Sequence, residues 1–446
     1  MKTLRLLPMV FAVGAALALP VHAQSLVDLY QSARGFDASY QSAKSLYDAT
    51  LARADQAKAA ILPVANLALG VSRTRQEVIP ETGPSSERSF GTQSASVSAS
   101  QPLYRPANWA SYRQGLKQVD LAQAQLAGAD QDLVVRVSQA YFDVLGAVDS
   151  LNFVQAQKAA VAEQLASAKR NFEVGTSTIT DTREAQARFD LVIAQEIAAE
   201  NDLRVKKIAL DQLVGKNDTQ PQSLALPLTL PALLPNDVNT WVQQSEAVHP
   251  GIRQSQIALE VAQLETQKAQ AGHKPTLDVN ASYGTSNNPD GSSTSTPGSV
   301  GSRVNAGTIG LSFNLPLFAG FSTQNRIRET LALEDKARND LEGARRAVAQ
   351  GTRTAFFGVL SGQGQVKALE AAEASSQSAL DANKLGYQVG VRINIDVLNS
   401  QSQLFQTKRD LAKARYDVLL GTLRLRQANG TLTPEDLQSI NALLAK

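Results

Sequence analysis

Cysteine is absent from all 446 residues. Disulfides, thiolate metal sites, a catalytic thiol and N-terminal acylation on cysteine are excluded together. Histidine is nearly absent: His22, His249 and His273 are the three present. None has a partner at metal-ligand or triad spacing, and no glycine-rich phosphate loop occurs. The sequence therefore offers no catalytic residue, no metal site and no cofactor site. Long apolar runs are scarce too. The one near the start, Leu6 to Leu19, follows Lys2 and Arg5 and precedes Val21-His22-Ala23, so residues 1–23 read as a secretory signal peptide. No later segment approaches 18 consecutive apolar residues, so no membrane-spanning helix is expected after it. The exported chain is expected in the periplasm, outside the cell or in the outer membrane. Without Lys2 and Arg5 it holds 41 basic and 41 acidic residues, and this balance gives no basic field for nucleic acid. Aromatics make up only 5% while alanine is dense, which favours closely packed helices over a bulky core.

What is present is a sequence that contains itself twice. Gln101-Pro102-Leu103-Tyr104 recurs as Leu315-Pro316-Leu317-Phe318, at a shift of 214 that becomes 215 after one inserted residue. Ala140-Tyr141-Phe142 then matches Ala355-Phe356-Phe357, Val174-Gly175 matches Val389-Gly390, and Asp181 matches Asp396. Gly215 closes the first copy as Gly430 closes the second. The chain is a tandem duplication.

Each copy has the same grammar. No proline lies between Pro106 and Pro221 or between Pro316 and Pro434, and such spans signal long helices. Val119, Leu126, Leu133, Ala140, Ala147, Val154 and Val161 recur at intervals of seven, one seam of a coiled coil. A helix from 107 to about 172 is predicted, roughly 100 Å long at 1.5 Å per residue. That length is needless for a globular core and suits a device that crosses a distance.

Ahead of each long helix stand two segments of period two. Ala65, Leu67, Leu69 and Val71 alternate with polar or small residues, as do Ala95, Val97 and Ala99. In the second copy Leu277, Val279, Ala281 and Tyr283 alternate, then Ile309, Leu311, Phe313 and Leu315. Each reads as a strand of about ten residues with one apolar face, long enough to cross a bilayer at a tilt. Residues 73–88 and 284–303 are rich in Pro, Gly, Ser and Asn and read as polar outward loops. Pro63, Pro102, Pro275 and Pro316 mark the returns to helix, where Tyr104, Trp109, Phe318 and Phe321 are positioned for an interfacial girdle.

Four strands cannot close a barrel, and an open edge in hydrocarbon leaves backbone groups unsatisfied. Two copies would give eight strands, filled by side chains; three give twelve and leave a lumen. Threefold cyclic symmetry is the simplest closing solution. The fold class expected is mainly α with a membrane β-barrel: four strands per protomer, and long coiled-coil helices forming a periplasmic α-barrel. The segments are a signal peptide (1–23), a first structural repeat (24–215), a proline-rich connector (216–239), a second repeat (240–430) and a C-terminal equatorial segment (431–446).

Several segments are specific enough to carry a resemblance. They are Ala140-Tyr141-Phe142-Asp143-Val144-Leu145, Gln155-Ala156-Gln157-Lys158, Phe172-Glu173-Val174-Gly175, Gly272-His273-Lys274-Pro275-Thr276-Leu277-Asp278, Gly310-Leu311-Ser312-Phe313-Asn314-Leu315-Pro316 and Gly386-Tyr387-Gln388-Val389-Gly390. With them the chain resembles the TolC family of outer-membrane channels over essentially the whole mature sequence. The resemblance implies a homotrimer in the Gram-negative outer membrane, in contact with its lipid. It also implies an exit duct for a tripartite efflux pump or a type I secretion system. By this similarity Val174, Gly175, Val389 and Gly390 lie at the periplasmic tips of the helical hairpins. There a periplasmic adaptor (membrane fusion) protein docks and links the duct to an inner-membrane pump of RND or ABC type. Thr180, Asp181, Tyr387 and Arg392 match the family's gate contacts, and Asp396 matches an acidic ring at the constriction. Asn399 stands where the best-known members have a second aspartate, so one acidic ring is expected and weaker block by multivalent cations.

The alternative is a soluble coiled-coil adaptor or stalk protein of the periplasm. It explains the heptads but not four bilayer-length alternating strands.

Overall fold

The computed structural model describes residues 23–225, 227–291 and 301–445; the expected signal peptide, apart from Ala23, lies outside the described residues. The first copy folds as α1 (Leu26–Phe36), α2 (Ala38–Ala59), β1 (Val64–Val78), β2 (Ser86–Tyr104), α3 (Pro106–Glu173) and α4 (Ile179–Val214). The second folds as α5 (Val238–Val248), α6 (Pro250–Gln270), β3 (Thr276–Asn288), β4 (Ser302–Asn314), α7 (Ser322–Gln388) and α8 (Asn394–Asn429), and α9 (Asp436–Asn441) follows. Two helices stand ahead of the strands in each copy. The first pair breaks at Asp37, and the second at His249, where Pro250 occupies the first turn of α6 and His249 Nδ1 accepts from the Gly251 N–H at 3.0 Å. Two compact units result, each drawing on both copies: Ser42–Ala129 with Glu246–Gln350, and the residues up to Gln41 with Asp130–Ser245 and Gly351 onward.

The first unit holds a four-stranded antiparallel sheet in the order β1-β2-β3-β4. Leu67 pairs with Val97, Val97 with Tyr283, and Ala281 with Ile309, so the alternating apolar residues share one face. This chain does not cover that face: Leu69 is 74% exposed, Val71 84%, Ile309 84% and Leu311 71%. Within the sheet, β1 and β4 each pair on one side only. The strands are longer than expected, at 15, 19, 13 and 13 residues. Polar residues continue the first ladder past Val71, with Arg75 bonded to Glu87 and Val78 still paired to Ser86. The first loop therefore shrinks to residues 79–85; of the second, residues 292–300 lie outside the described residues. Where β2 hands over to α3, Arg105 grips Asp278 of β3 through two hydrogen bonds of 2.7 and 2.6 Å. Phe318 and Phe321 meet edge to face at 5.4 Å between centroids, both exposed, as are Tyr104 and Trp109.

In the second unit the heptad seam becomes a core. Val154, Val161 and Ala168 of α3 pack with Ala185 and Val192 of α4 and with Leu398 of α8, whereas Val119, Leu126 and Ala140 stay half-buried. Both copies end on a glycine in the left-handed region, Gly215 at φ 69° and Gly430 at φ 84°. The connector is tied to both chain ends: Gln24 N–H donates to Gln220 O at 2.8 Å, and Ala225 N–H to Leu443 O at 2.9 Å. Tyr141, fully buried, donates its hydroxyl to Gln222 O at 2.8 Å, while its repeat equivalent Phe356 packs on Trp241 and Val359 instead. Arg136 clamps Asp37 with two bonds of 2.8 Å and holds its carboxyl below the usual carboxylate range.

Candidate functional site

The two helix-to-helix turns, α3 to α4 and α7 to α8, are built alike at their bases. Gly175 and Gly390 take φ 79° and 76°, a left-handed conformation that glycine adopts without a Cβ penalty. Gly175 N–H donates to Phe172 O at 3.0 Å and Thr176 N–H to Asn171 O at 2.8 Å; in the second turn Gly390 N–H reaches Tyr387 O and Val391 N–H reaches Gly386 O. Val174 and Val389 stand 72% and 65% exposed beside them. A Cβ added at Gly175 or Gly390 would meet nothing within 4 Å. Each turn thus presents an exposed valine beside an uncrowded glycine.

The turns differ where the next helix begins. Thr178 caps α4: its Oγ1 accepts from the Asp181 N–H at 3.2 Å, and Asp181 Oδ2 accepts from the Thr178 N–H at 3.0 Å. Ser177 Oγ and Thr178 Oγ1 also donate to Asp181. Burial pushes this carboxyl up, but the bonds from Thr178 and Ser177 outweigh it and hold the group below its ordinary range. Thr180 Oγ1 shares a hydrogen bond with Thr178 Oγ1. Asp181 and Thr180 are thus engaged within their own turn.

Tyr387 and Arg392 are engaged elsewhere. Tyr387 Oη accepts from Asn171 Nδ2 at 3.1 Å, a bond between the ends of α7 and α3. Arg392 Nη1 lies 3.7 Å from Asp396 Oδ2, one turn along, and folds over Gly386, where a Cβ would stand 2.7 Å from Arg392 Cγ. Within this chain no hydrogen bond or ion pair joins Thr180 or Asp181 to Tyr387 or Arg392 among the described residues. Asn399 Oδ1 accepts from Arg188 Nη2 at 2.9 Å.

Four residues link the tips without having been singled out in the sequence: Asn171, Gln164, Asn394 and Arg188. Asn394 is fully buried, bonds Gln164 of α3 and donates to Asp181 O at 3.4 Å. One signal was available, because Asn394 stands where the first copy has Ile179, and an amide in an apolar slot needs partners. Among the described residues no group of three His, Cys, Asp or Glu could hold a metal ion, and no helix is long and apolar enough to cross a membrane.

A family model described as Outer membrane efflux protein matches residues 29–216 and 241–431. The Outer membrane protein TolC of Vibrio cholerae is 33% identical over 439 residues, covering 98% of each chain. The Outer membrane protein TolC of Escherichia coli is 31% identical, over 95% of this chain and 86% of that one. Among solved structures, the CmeC outer membrane channel of Campylobacter jejuni matches with a TM-score of 0.76 at 16% identity, over 100% of this chain and 98% of that one. The last is a likeness of fold. The chain belongs to the outer membrane efflux protein family.

Proposed function

We propose that three copies of this chain close one twelve-stranded barrel and continue it as a helical tunnel ending at the six tips. Family membership makes the protein an outer-membrane efflux or secretion channel, with its helical part in the periplasm. The observation that carries the trimer is the sheet, four strands with an uncovered apolar face and free edges at β1 and β4. Backbone groups on those edges must be paired within the hydrocarbon, and strands of a neighbouring copy supply the pairing. A soluble adaptor would have to shield the same face from water.

At the other end, Val174-Gly175 and Val389-Gly390 offer the docking surface for a periplasmic adaptor, through which an RND or ABC pump delivers substrate. Thr180, Asp181, Tyr387 and Arg392 form the gate, with Asn171 as the partner Tyr387 holds in its own chain. Across the protomer boundary, Arg392 is free to trade Asp396 for a neighbour's acceptor, since an exposed ion pair is worth only about 0.2–1 kcal/mol. Asp396 lines the constriction as one acidic ring. Planar-bilayer recording tests the reading: purified protein should insert with discrete, uniform conductance steps, and protein that binds lipid without conducting would refute it.

A further inference from the structure

A groove of about 440 Å³ runs between α3, α4 and α8, inside one of the two compact units. Its volume falls among small-molecule sites, which span about 300–1,000 Å³. Gln157 of α3, Arg188 and Gln195 of α4, and Gln406 and Arg409 of α8 supply polar lining, and no carboxylate is among the lining residues.

Two imbalances mark it. Arg188 donates to the neutral amide of Asn399 at 2.9 Å, and Arg409 to that of Gln406 at 2.5 Å. Among the described residues neither guanidinium has an ion-pair partner. Neither meets a carboxylate directly, and Asp410 bonds the Gln406 amide rather than Arg409, unlike Lys158 and Lys206 nearby, which pair with Glu196 and Asp143. The second imbalance has the opposite sense. Gln157 is 5% exposed, and its Oε1 has no hydrogen-bond partner; Gln195 Oε1 is also buried and unpartnered. A buried acceptor without a donor is destabilising, so such groups call for an occupant.

Cations lacking an anion and acceptors lacking a donor specify one ligand chemistry. The ligand must bring acid groups for the arginines and O–H groups for the glutamines. Spacing adds length: Arg188 meets α8 at Asn399, and Arg409 lies about 15 Å further along the axis at 1.5 Å per residue. The Arg409 guanidinium turns back to Gln406, which shortens the span.

We propose that this groove binds a hydroxylated organic dianion, its acidic ends held by Arg188 and Arg409 and its hydroxyls donating to Gln157 and Gln195. All the lining residues belong to a single chain. Its role in handling exported substrate rests on the channel reading above.

Two matched probes test it. Galactarate carries a hydroxyl on every carbon between its two carboxylates, and adipate has the same chain without them. Calorimetric titration of the full chain in detergent, at constant ionic strength, should give saturable galactarate binding and adipate binding weaker by at least about tenfold. Gln157→Met should bring galactarate down toward adipate and leave adipate unchanged. Arg188→Gln with Arg409→Gln should remove both, while Arg188→Lys with Arg409→Lys keeps the charge and should retain most galactarate binding, which separates loss of charge from loss of fold. Absence of saturable galactarate binding, equal affinity for the two probes, or binding undiminished in R188Q/R409Q would each overturn the proposal. Pore formation by the same preparation reports separately on the channel reading.

Discussion

Asp181 and Asp396 stand 215 residues apart at the same place in the two copies, yet only Asp181 caps its helix. Its partner Thr178 is replaced in the second copy by Ile393, which makes no side-chain cap bond, and Asp396 lies instead 3.7 Å from Arg392. Ser177, which also donates to Asp181, is replaced by Arg392, so the second carboxylate lacks both hydroxyl partners of the first.

Helix ends follow from that difference. Thr178→Ala should cost the first turn of α4 about 1 kcal/mol, and Ile393→Thr should stabilise the first turn of α8 by a similar amount. Hydrogen exchange of residues 179–185 and 394–400 reads both. Because the Asp181 carboxyl sits below its ordinary range when folded, its contribution is present above the unfolded value near 3.9 and is lost as pH falls through the lower folded one. Asp181→Asn should remove that acid-dependent loosening of the first tip.

The gate prediction rests on the bond between Asn171 and Tyr387. Tyr387→Phe and Asn171→Ala should each raise single-channel conductance, and the pair together should do no more than the larger single effect, since both delete one bond. Arg392→Ala should add to either, because Arg392 contacts Asp396 and Gly386 rather than Tyr387. Full additivity of Asn171→Ala with Tyr387→Phe would contradict the assignment.

Arg188 qualifies what an added acid can do at the constriction. Asn399→Asp should strengthen block by trivalent cations, but Arg188, now bonded to that side chain, would neutralise part of the new charge. Asn399→Asp with Arg188→Gln should therefore block more strongly than Asn399→Asp alone. Equal block in the two variants would show that Arg188 does not reach the ion path.

Glycines at the tips and at the end of the first copy should respond differently to substitution. Gly175→Trp with Gly390→Trp adds bulk in open space and costs about 1–2 kcal/mol of left-handed strain at each turn, so assembly should survive while adaptor-dependent export is lost. Gly215→Ala has the same backbone strain and also drives a Cβ to within 2.4 Å of the Phe36 ring, so it should lower folded yield. Export that persists in the double tryptophan variant would move the docking surface elsewhere.

The long helices and the four strands were legible because their signals are periodic and local. Spacing of seven marked α3, and alternation marked β1 through β4. Strand length was not legible: the ladder past Val71 is held by polar pairs such as Arg75 with Glu87, and their sequence reads as loop. The break at Asp37 carries no proline, with only Gly35 two residues ahead of it, and it is held by Arg136, 99 residues away. At the tips, glycine and the repeat register located Val174-Gly175 and Val389-Gly390. The bond of Tyr387 to Asn171 joins positions 216 residues apart, and no local pattern encodes it.

On the function proposed above, one chain cannot close the barrel and three do. Mass measurement of the detergent-purified protein by light scattering, with detergent subtracted, addresses it directly. A complex of three chains is predicted, stable until the sheet edges at β1 and β4 are disrupted; a monodisperse single chain that still conducts ions would contradict a barrel shared between chains.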